Sequence, residues 1–315
     1  ILSALNRHGD SNMLSNLVDR LLKLANDANK KTATNTKVSA LAVVGDLMVL
    51  HGRVLETFST DVFVAVAKHM KLSEAGIRVS AFQCLRKTIN VVGFKNAGVA
   101  GNIWKMLQKM VPDKVATVRT AAAQALSALA EASPECVFAN GDAMAALCLK
   151  ALTEEQPGQS SASVSECRSA FAIALAHVLA SMASPQASAG VDRSKKKPIV
   201  TDFASALTFL EQAAAKGSPS GPMFVGFRAA LCLVFIRLAK IQEVDDSASI
   251  GLLMRSLLGL LDMPPVAKGK GVSADDDSLA QVGRYVSLAL RHVMLMVDSE
   301  AVLVEVVEQV FINLA

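Results

Sequence analysis

The chain has 315 residues, of which 52% are hydrophobic, 19% charged and only 4% aromatic, and its formal net charge is +4. The small basic excess is spread over many segments, and with one Trp and one Tyr available for stacking on bases the composition argues against a nucleic-acid-binding protein. Length alone would favour two domains, but a stacked array of helical repeats grows without a single globular core.

Taken in chain order, the apolar periodicity predicts six antiparallel helix pairs and no strand. The first three pairs are predicted at 12–28 with 36–50, 60–71 with 76–92, and 102–110 with 114–132. The other three are predicted at 142–152 with 164–182, 202–216 with 224–242, and 249–261 with 278–297. A further helix at 301–311 has no partner, so we expect the chain to be a piece of a longer protein. Polar segments rich in Ser, Gly and Pro predict mobile inserted loops at 155–163, 184–198, 217–221 and 263–277.

One pattern recurs in the second helix of each pair. In the helix predicted at 114–132 an apolar stripe lies on one face, with Arg119 at its edge; the stripe consists of Val118, Ala122, Ala125, Leu126 and Leu129. A basic residue recurs at the corresponding place at intervals of 41, 41, 49, 60 and 56 residues, as Lys37, Arg78, Arg119, Arg168, Arg228 and Arg284. The period of 41 is typical of HEAT repeats, and inserted loops account for the longer intervals. The sequence therefore predicts an all-α protein, an α-solenoid of HEAT/armadillo-like repeats that forms a single right-handed array over residues 1–315.

Residues that could carry catalysis or bind a metal do not form a recognised arrangement. The five histidines, at positions 8, 51, 69, 177 and 292, are isolated from one another and from any metal-binding spacing. The segment at 268–271 lacks the spacing of a phosphate-binding loop, and the acidic residues at 275–277 suit the start of a helix. We therefore expect no enzyme, no cofactor and no metal.

The five cysteines and the longest uncharged run indicate a cytoplasmic protein without a transmembrane segment. The cysteines lie inside apolar helical patterns and are predicted to be reduced and buried; they are Cys84, Cys136, Cys148, Cys167 and Cys232. The uncharged run at 169–191 is interrupted by serines, His177 and Pro185. The three lysines at 195–197 suit a solvated loop, with binding to acidic lipid or a nuclear-import signal as alternatives.

In a curved stack of repeats the second helices line one common surface, which suits an extended peptide or a partner helix with an apolar or acidic face. The predicted protein-binding residues on that surface are Arg78, Gln83, Arg119, Gln124, Arg168, Arg228 and Lys240.

Several segments between residues 36 and 242 share features with one known family. They are the segment 36–40 followed by Gly45 and Gly52-Arg53, the segment 85–89, Asp113 with Val118-Arg119, the segment 146–152, and the glycine-rich part of 201–226. In these features the chain resembles the HEAT-repeat-containing protein 5 family, which includes the large fungal accessory protein of the clathrin adaptor and the plant Sweetie protein. The spacing of Gly45 and Gly52-Arg53 is the most specific of these features.

The resemblance implies a non-catalytic cytoplasmic scaffold in vesicle-mediated transport between the trans-Golgi network and endosomes. Its partners would be clathrin adaptor subunits and accessory proteins, through which it would associate peripherally with Golgi and endosomal membranes. Two alternatives stay open: a HEAT scaffold in nuclear transport or in the cytoskeleton and cilia, and a helical accessory region of a larger enzyme.

Overall fold

The computed structural model describes residues 11–27, 33–94, 97–154, 160–184, 199–217, 222–262 and 276–297. Apart from one short 3₁₀ helix, Glu56–Phe58, the regular elements in these ranges are all α-helices. In chain order they are α1 (Ser11–Asn26), α2 (Thr34–Leu55), α3 (Ser59–His69), α4 (Ala75–Val92), α5 (Ala97–Met110), α6 (Ala116–Ala132), α7 (Pro134–Thr153), α8 (Ser161–Ala183), α9 (Phe203–Gly217), α10 (Pro222–Ile241), α11 (Ser247–Asp262) and α12 (Asp276–Leu295). The predicted all-α class is confirmed, and the helices pack in neighbouring pairs, as in an all-α helical repeat fold.

The predicted apolar stripe of α6 is confirmed as core. Val118, Ala122, Ala125, Leu126 and Leu129 are all 0% exposed. Small alanines at these positions allow neighbouring helices to approach closely, so this helix is buried on most of its surface.

Polar side chains begin several helices by satisfying their free N–H groups. Asp202 accepts a hydrogen bond from the Ser205 N–H (2.7 Å), and the Ser205 hydroxyl accepts one from the Asp202 N–H (3.0 Å), which is a reciprocal cap before α9. The hydrogen bond from the Ser205 N–H to the carboxylate is the largest cause that lowers the pKa of Asp202. Asp246 caps α11 in the same way through the Ser249 N–H, at 2.8 Å.

Four helices extend three or more residues beyond their predicted bounds. The second helix of the first pair continues past residue 50 to Leu55, with a break at His51, where φ is −132° and ψ is 22°. Helices α5, α7 and α8 each start earlier than predicted, at Ala97, Pro134 and Ser161. Proline fits the first turn of a helix, because the N–H that it lacks has no intrahelical partner there.

The described helices belong to two compact units, residues 1–136 and residues 137–315. In unit 1 the pairs α1/α2, α3/α4 and α5/α6 pack together, and the second helices contact one another in the order α2, α4, α6. In unit 2 the pairs α9/α10 and α11/α12 pack together, and the second helices contact one another in the order α8, α10, α12. The single array over 1–315 stays a prediction, and its terminal helix at 301–311 lies outside the described residues.

Of the four predicted inserted loops, only the residues at their ends are described. Residues 155–159, 185–198, 218–221 and 263–275 lie outside the described part of the chain, and with them the three lysines at 195–197. Some described residues of these segments belong to helices, such as Ser161 and Asp276, the first residues of α8 and α12, whereas Ser160 and Ser184 flank α8 outside it.

The prediction for the cysteines is confirmed, because all five are free and buried. Burial raises the pKa of the thiols of Cys84, Cys148 and Cys232 to about 12, since a thiolate would lose its hydration there.

Two stretches, Thr34–His69 and Pro134–Thr153, are long and apolar enough to cross a membrane by length and composition. In the most apolar part of each, 44% of the residues are buried inside the protein. The first stretch is broken at His51 and carries Asp46, which forms an ion pair with Lys87. Core helices of soluble proteins have the same composition, so the absence of a transmembrane segment stays a prediction.

Candidate functional site

The recurring arginines of unit 1 connect each second helix to the turn that precedes it. The Arg78 guanidinium donates to the carbonyl oxygens of Leu72 (2.8 Å) and Ser73 (2.6 Å), and that of Arg119 donates to the carbonyl oxygen of Asp113 (2.6 Å). Arg78 and Arg119 each reach the carbonyl six residues before them, so the two repeats use the arginine in the same structural way.

Asp113 joins two repeats of unit 1. Its carboxylate lies 3.0 Å from Nε and 3.1 Å from Nη2 of Arg78, and it also accepts a hydrogen bond from the Val115 N–H at 2.9 Å. The Arg78 and Asp113 side chains are only 11% and 10% exposed. This pair therefore fixes the start of α6 against α4 through charge-assisted, largely desolvated contacts.

The structure corrects the expectation that Arg78 and Arg228 contact a partner. Arg78 is buried in unit 1, and Arg228 is 0% exposed in unit 2, with its guanidinium carbon 5.1 Å from the centre of the Phe224 ring. Burial lowers the pKa of Arg228 to about 10. Arg228 is enclosed by the protein, and Arg78 exposes only 11% of its side chain.

The second helices of unit 1 are also joined by polar pairs. Lys87 on α4 lies 2.5 Å from the Asp46 carboxylate on α2, and Arg86 on α4 donates to the Gln124 side chain on α6 at 3.1 Å. Gln124 is half-buried, whereas Gln83 is exposed on α4. Of the residues predicted to bind protein in unit 1, only Gln83 is exposed without a hydrogen bond in the described structure.

Gly45 and Gly52 allow the close contact between α2 and α4. They lie seven residues apart and so on one face of α2. A Cβ at Gly45 would lie 3.2 Å from the Cα of Cys84, and a Cβ at Gly52 would collide with the Val91 side chain. The glycine spacing that distinguishes the sequence thus has a packing cause in this structure.

Unit 2 contains a groove of about 780 Å³ along its three second helices. Helix α10 forms the centre, with α8 on one side and α12 on the other. From Val225 to Lys240 the groove follows about 22 Å of α10, at 1.5 Å per residue. Such a length suits a peptide segment better than a small molecule.

The groove combines cationic and apolar side chains. Its charged groups are Arg168, Arg237 and Lys240, and none of the described residues that line it is Asp or Glu. Tyr285 and Leu288 line it from α12 and are 44% and 54% exposed. The arrangement offers an apolar surface bordered by positive charge.

Arg168 rests directly on the backbone of α10. A Cβ at Gly226 would collide with its Nη1, while its Nη2 contacts the Met223 sulfur. Its Nε is buried and has no hydrogen-bond partner among the described residues. Partial burial lowers the pKa of Arg168.

The groove brings together two of the residues predicted from sequence, Arg168 and Lys240. Sequence reasoning missed Arg237, Tyr285 and Leu288. For the α12 residues a signal exists, because Tyr285 and Leu288 lie off the stripe whose buried members are Val282, Val286, Ala289 and Val293. No such signal marks Arg237, since α10 is apolar on most of its surface.

The described residues contain no group of three or more His, Cys, Asp or Glu side chains placed to hold a metal ion. The expectations of no enzyme and no cofactor stay predictions.

Comparison with known proteins identifies no family. No protein-family model matches the chain, and no curated protein matches it. Two crystal structures of engineered proteins from the Northeast Structural Genomics Consortium match the chain, each with a TM-score of 0.47, at 15% and 12% sequence identity. The matches cover 89% and 88% of this chain and 97% and 98% of the engineered chains. At this level of similarity they carry no conclusion about function.

Proposed function

We propose that this chain is a non-catalytic protein-binding scaffold, built as an α-solenoid of HEAT/armadillo-like repeats, and that its partner binds in the groove of α8, α10 and α12. The repeat architecture is supported by the basic residue that recurs every 41 residues in the first three repeats and by the second helices packed in order within each unit. The observation that carries the binding function is the groove itself, which combines exposed Tyr285 and Leu288 with cations that form no ion pair with a described carboxylate. Exposed aromatic and aliphatic side chains beside arginine are typical of binding surfaces.

As the cellular process we propose clathrin-adaptor-dependent vesicle traffic between the trans-Golgi network and endosomes, in the cytoplasm and at those membranes. This part rests on the sequence resemblance of residues 36–242 alone. A nuclear-transport, cytoskeletal or ciliary scaffold is the second candidate, because the same architecture and groove would serve it.

Site-specific photo-crosslinking tests the binding function. A benzoylphenylalanine probe replaces Leu288, which lines the groove, in the full chain expressed in cells. A matched probe replaces Leu252, an exposed leucine on α11 that does not line the groove. We expect the Leu288 probe, and not the Leu252 probe, to form a covalent adduct with a distinct protein.

The adducts are identified by mass spectrometry, and the identity of the partner decides the process. Adaptor subunits would indicate vesicle traffic, import cargo would indicate nuclear transport, and axonemal proteins would indicate a ciliary scaffold. Adducts only from the Leu252 probe, or equal adducts from both, would place the binding surface elsewhere and contradict the proposal.

A further inference from the structure

Arg237 and Lys240 of the unit 2 groove differ from two cations of unit 1 in having no carboxylate partner among the described residues. In unit 1, Lys87 is paired with Asp46, and Arg78 with Asp113. In unit 2 no described carboxylate lies within ion-pair distance of Arg237 or Lys240, although both are exposed at the groove. Cations without a neighbouring carboxylate beside an apolar surface favour a partner with acidic and apolar side chains.

We infer that the occupant of this groove is an acidic amphipathic helix of a partner protein. The inference rests on the proposed protein-binding function and names the chemistry of the partner. A helix matches because the groove follows α10 over about 22 Å, and because the apolar residues that line it recur at helical spacing.

The positions of the cations specify where the partner's acidic residues lie. Gly226, on which Arg168 rests, precedes Arg237 by 11 residues, which corresponds to about 17 Å along α10. Lys240 follows one turn after Arg237. A partner helix laid along α10 would thus place acidic side chains about three turns apart, with an apolar stripe between them that contacts Tyr285 and Leu288.

A binding measurement with designed peptides tests this. The probe is a fluorescently labelled 18-residue helical peptide with two glutamates near each end, 11 residues apart, and a leucine stripe between them. Two control peptides are used: one with glutamine in place of every glutamate, and one with the same composition in scrambled order. Fluorescence anisotropy with the full chain is expected to give the tightest binding for the first peptide. Its affinity should fall several-fold when the salt concentration is raised from about 50 to about 300 mM, because the charges are exposed. These concentrations lie on either side of the one at which the Debye length is about 10 Å.

Variants of the protein locate the interaction. Arg237→Glu combined with Lys240→Glu is expected to raise Kd at least about tenfold, since attraction is replaced by repulsion. The matched control is Arg291→Glu, which reverses an exposed charge on α12 outside the groove and is expected to leave Kd unchanged. Gly226→Ala displaces the end of the flexible Arg168 side chain and is expected to raise Kd about threefold while the thermal midpoint stays the same.

The outcomes separate the inference from the proposed function. Suppose that the Leu288 probe captures a protein in cells, and that this complex persists in the double charge-reversal variant and at high salt. The groove then binds protein, but the inference that its occupant is an acidic helix is wrong. Equal binding of the glutamate and glutamine peptides also contradicts the inference. Stronger binding of anionic vesicles or RNA than of the acidic peptide, lost in the double variant, would mean that the groove serves another class of ligand.

Discussion

Replacing Asp113 by alanine is predicted to lower the free energy of unfolding of unit 1 by about 3 kcal/mol. Removing one partner of a buried ion pair costs about 3–5 kcal/mol, because the other charge is left uncompensated. Arg78 retains its hydrogen bonds to the carbonyls of Leu72 and Ser73, which favours the lower end of that range. Loss of the hydrogen bond from the Val115 N–H is included in this figure and accounts for about 1 kcal/mol of it.

The single tryptophan provides a readout for unit 1. Trp104 lies on α5, is 4% exposed, and belongs to the helix that packs against α6. Its fluorescence in urea therefore follows the unfolding of the unit that contains the Arg78–Asp113 pair. With a slope of about 2 kcal/mol per molar urea, a loss of about 3 kcal/mol moves the midpoint down by about 1.5 M.

A double-mutant cycle tests the cause of this loss. Asp113→Asn keeps an acceptor for the Val115 N–H but removes the charge, so we expect it to cost about 2 kcal/mol. Arg78→Met combined with Asp113→Ala is expected to cost about 2 kcal/mol less than the sum of the single changes, because the pair is lost only once. Additive costs, or a cost below about 1 kcal/mol for Asp113→Ala, would refute the assignment of Asp113 as the residue that joins the two repeats.

Three further predictions concern the core. Ala125→Glu places an unpaired charge in a position that is 0% exposed and should cost at least about 3 kcal/mol in the Trp104 urea assay, so an unchanged midpoint would show that this face is not core. Gly45→Ala should cost about 1–3 kcal/mol through overpacking against the Cys84 backbone, whereas Gly101→Ala, with open space at its Cβ, should be neutral or stabilising. The buried thiols should resist iodoacetamide at pH 8 until urea unfolds the chain. Because the thiols of Cys84, Cys148 and Cys232 stay protonated to about pH 12 in the folded state, against an ordinary pKa of 9.0, stability should fall as pH rises from about 9 to 12. Rapid alkylation of Cys148 in the folded protein would contradict this.

The sequence by itself determined the helices and much of the core. The stripe of α6 is read correctly because apolar spacing of 3–4 residues is a local property, and a face with that spacing has to be buried to remove its surface from water. The recurrence of arginine at an interval of 41 residues likewise identifies equivalent positions in successive repeats without any tertiary information.

Only the tertiary structure decided which polar residues face solvent. Arg78 and Arg228 belong to the same sequence pattern as Arg168, yet the first two are buried and the third lines a groove. The difference depends on residues far away in the chain: Asp113 lies 35 residues after Arg78, and Gly226 provides the space for Arg168 from another helix. The exposure of a side chain depends on the residues that folding brings next to it. Helical periodicity shows which residues share a face of a helix, but it does not show what packs against that face.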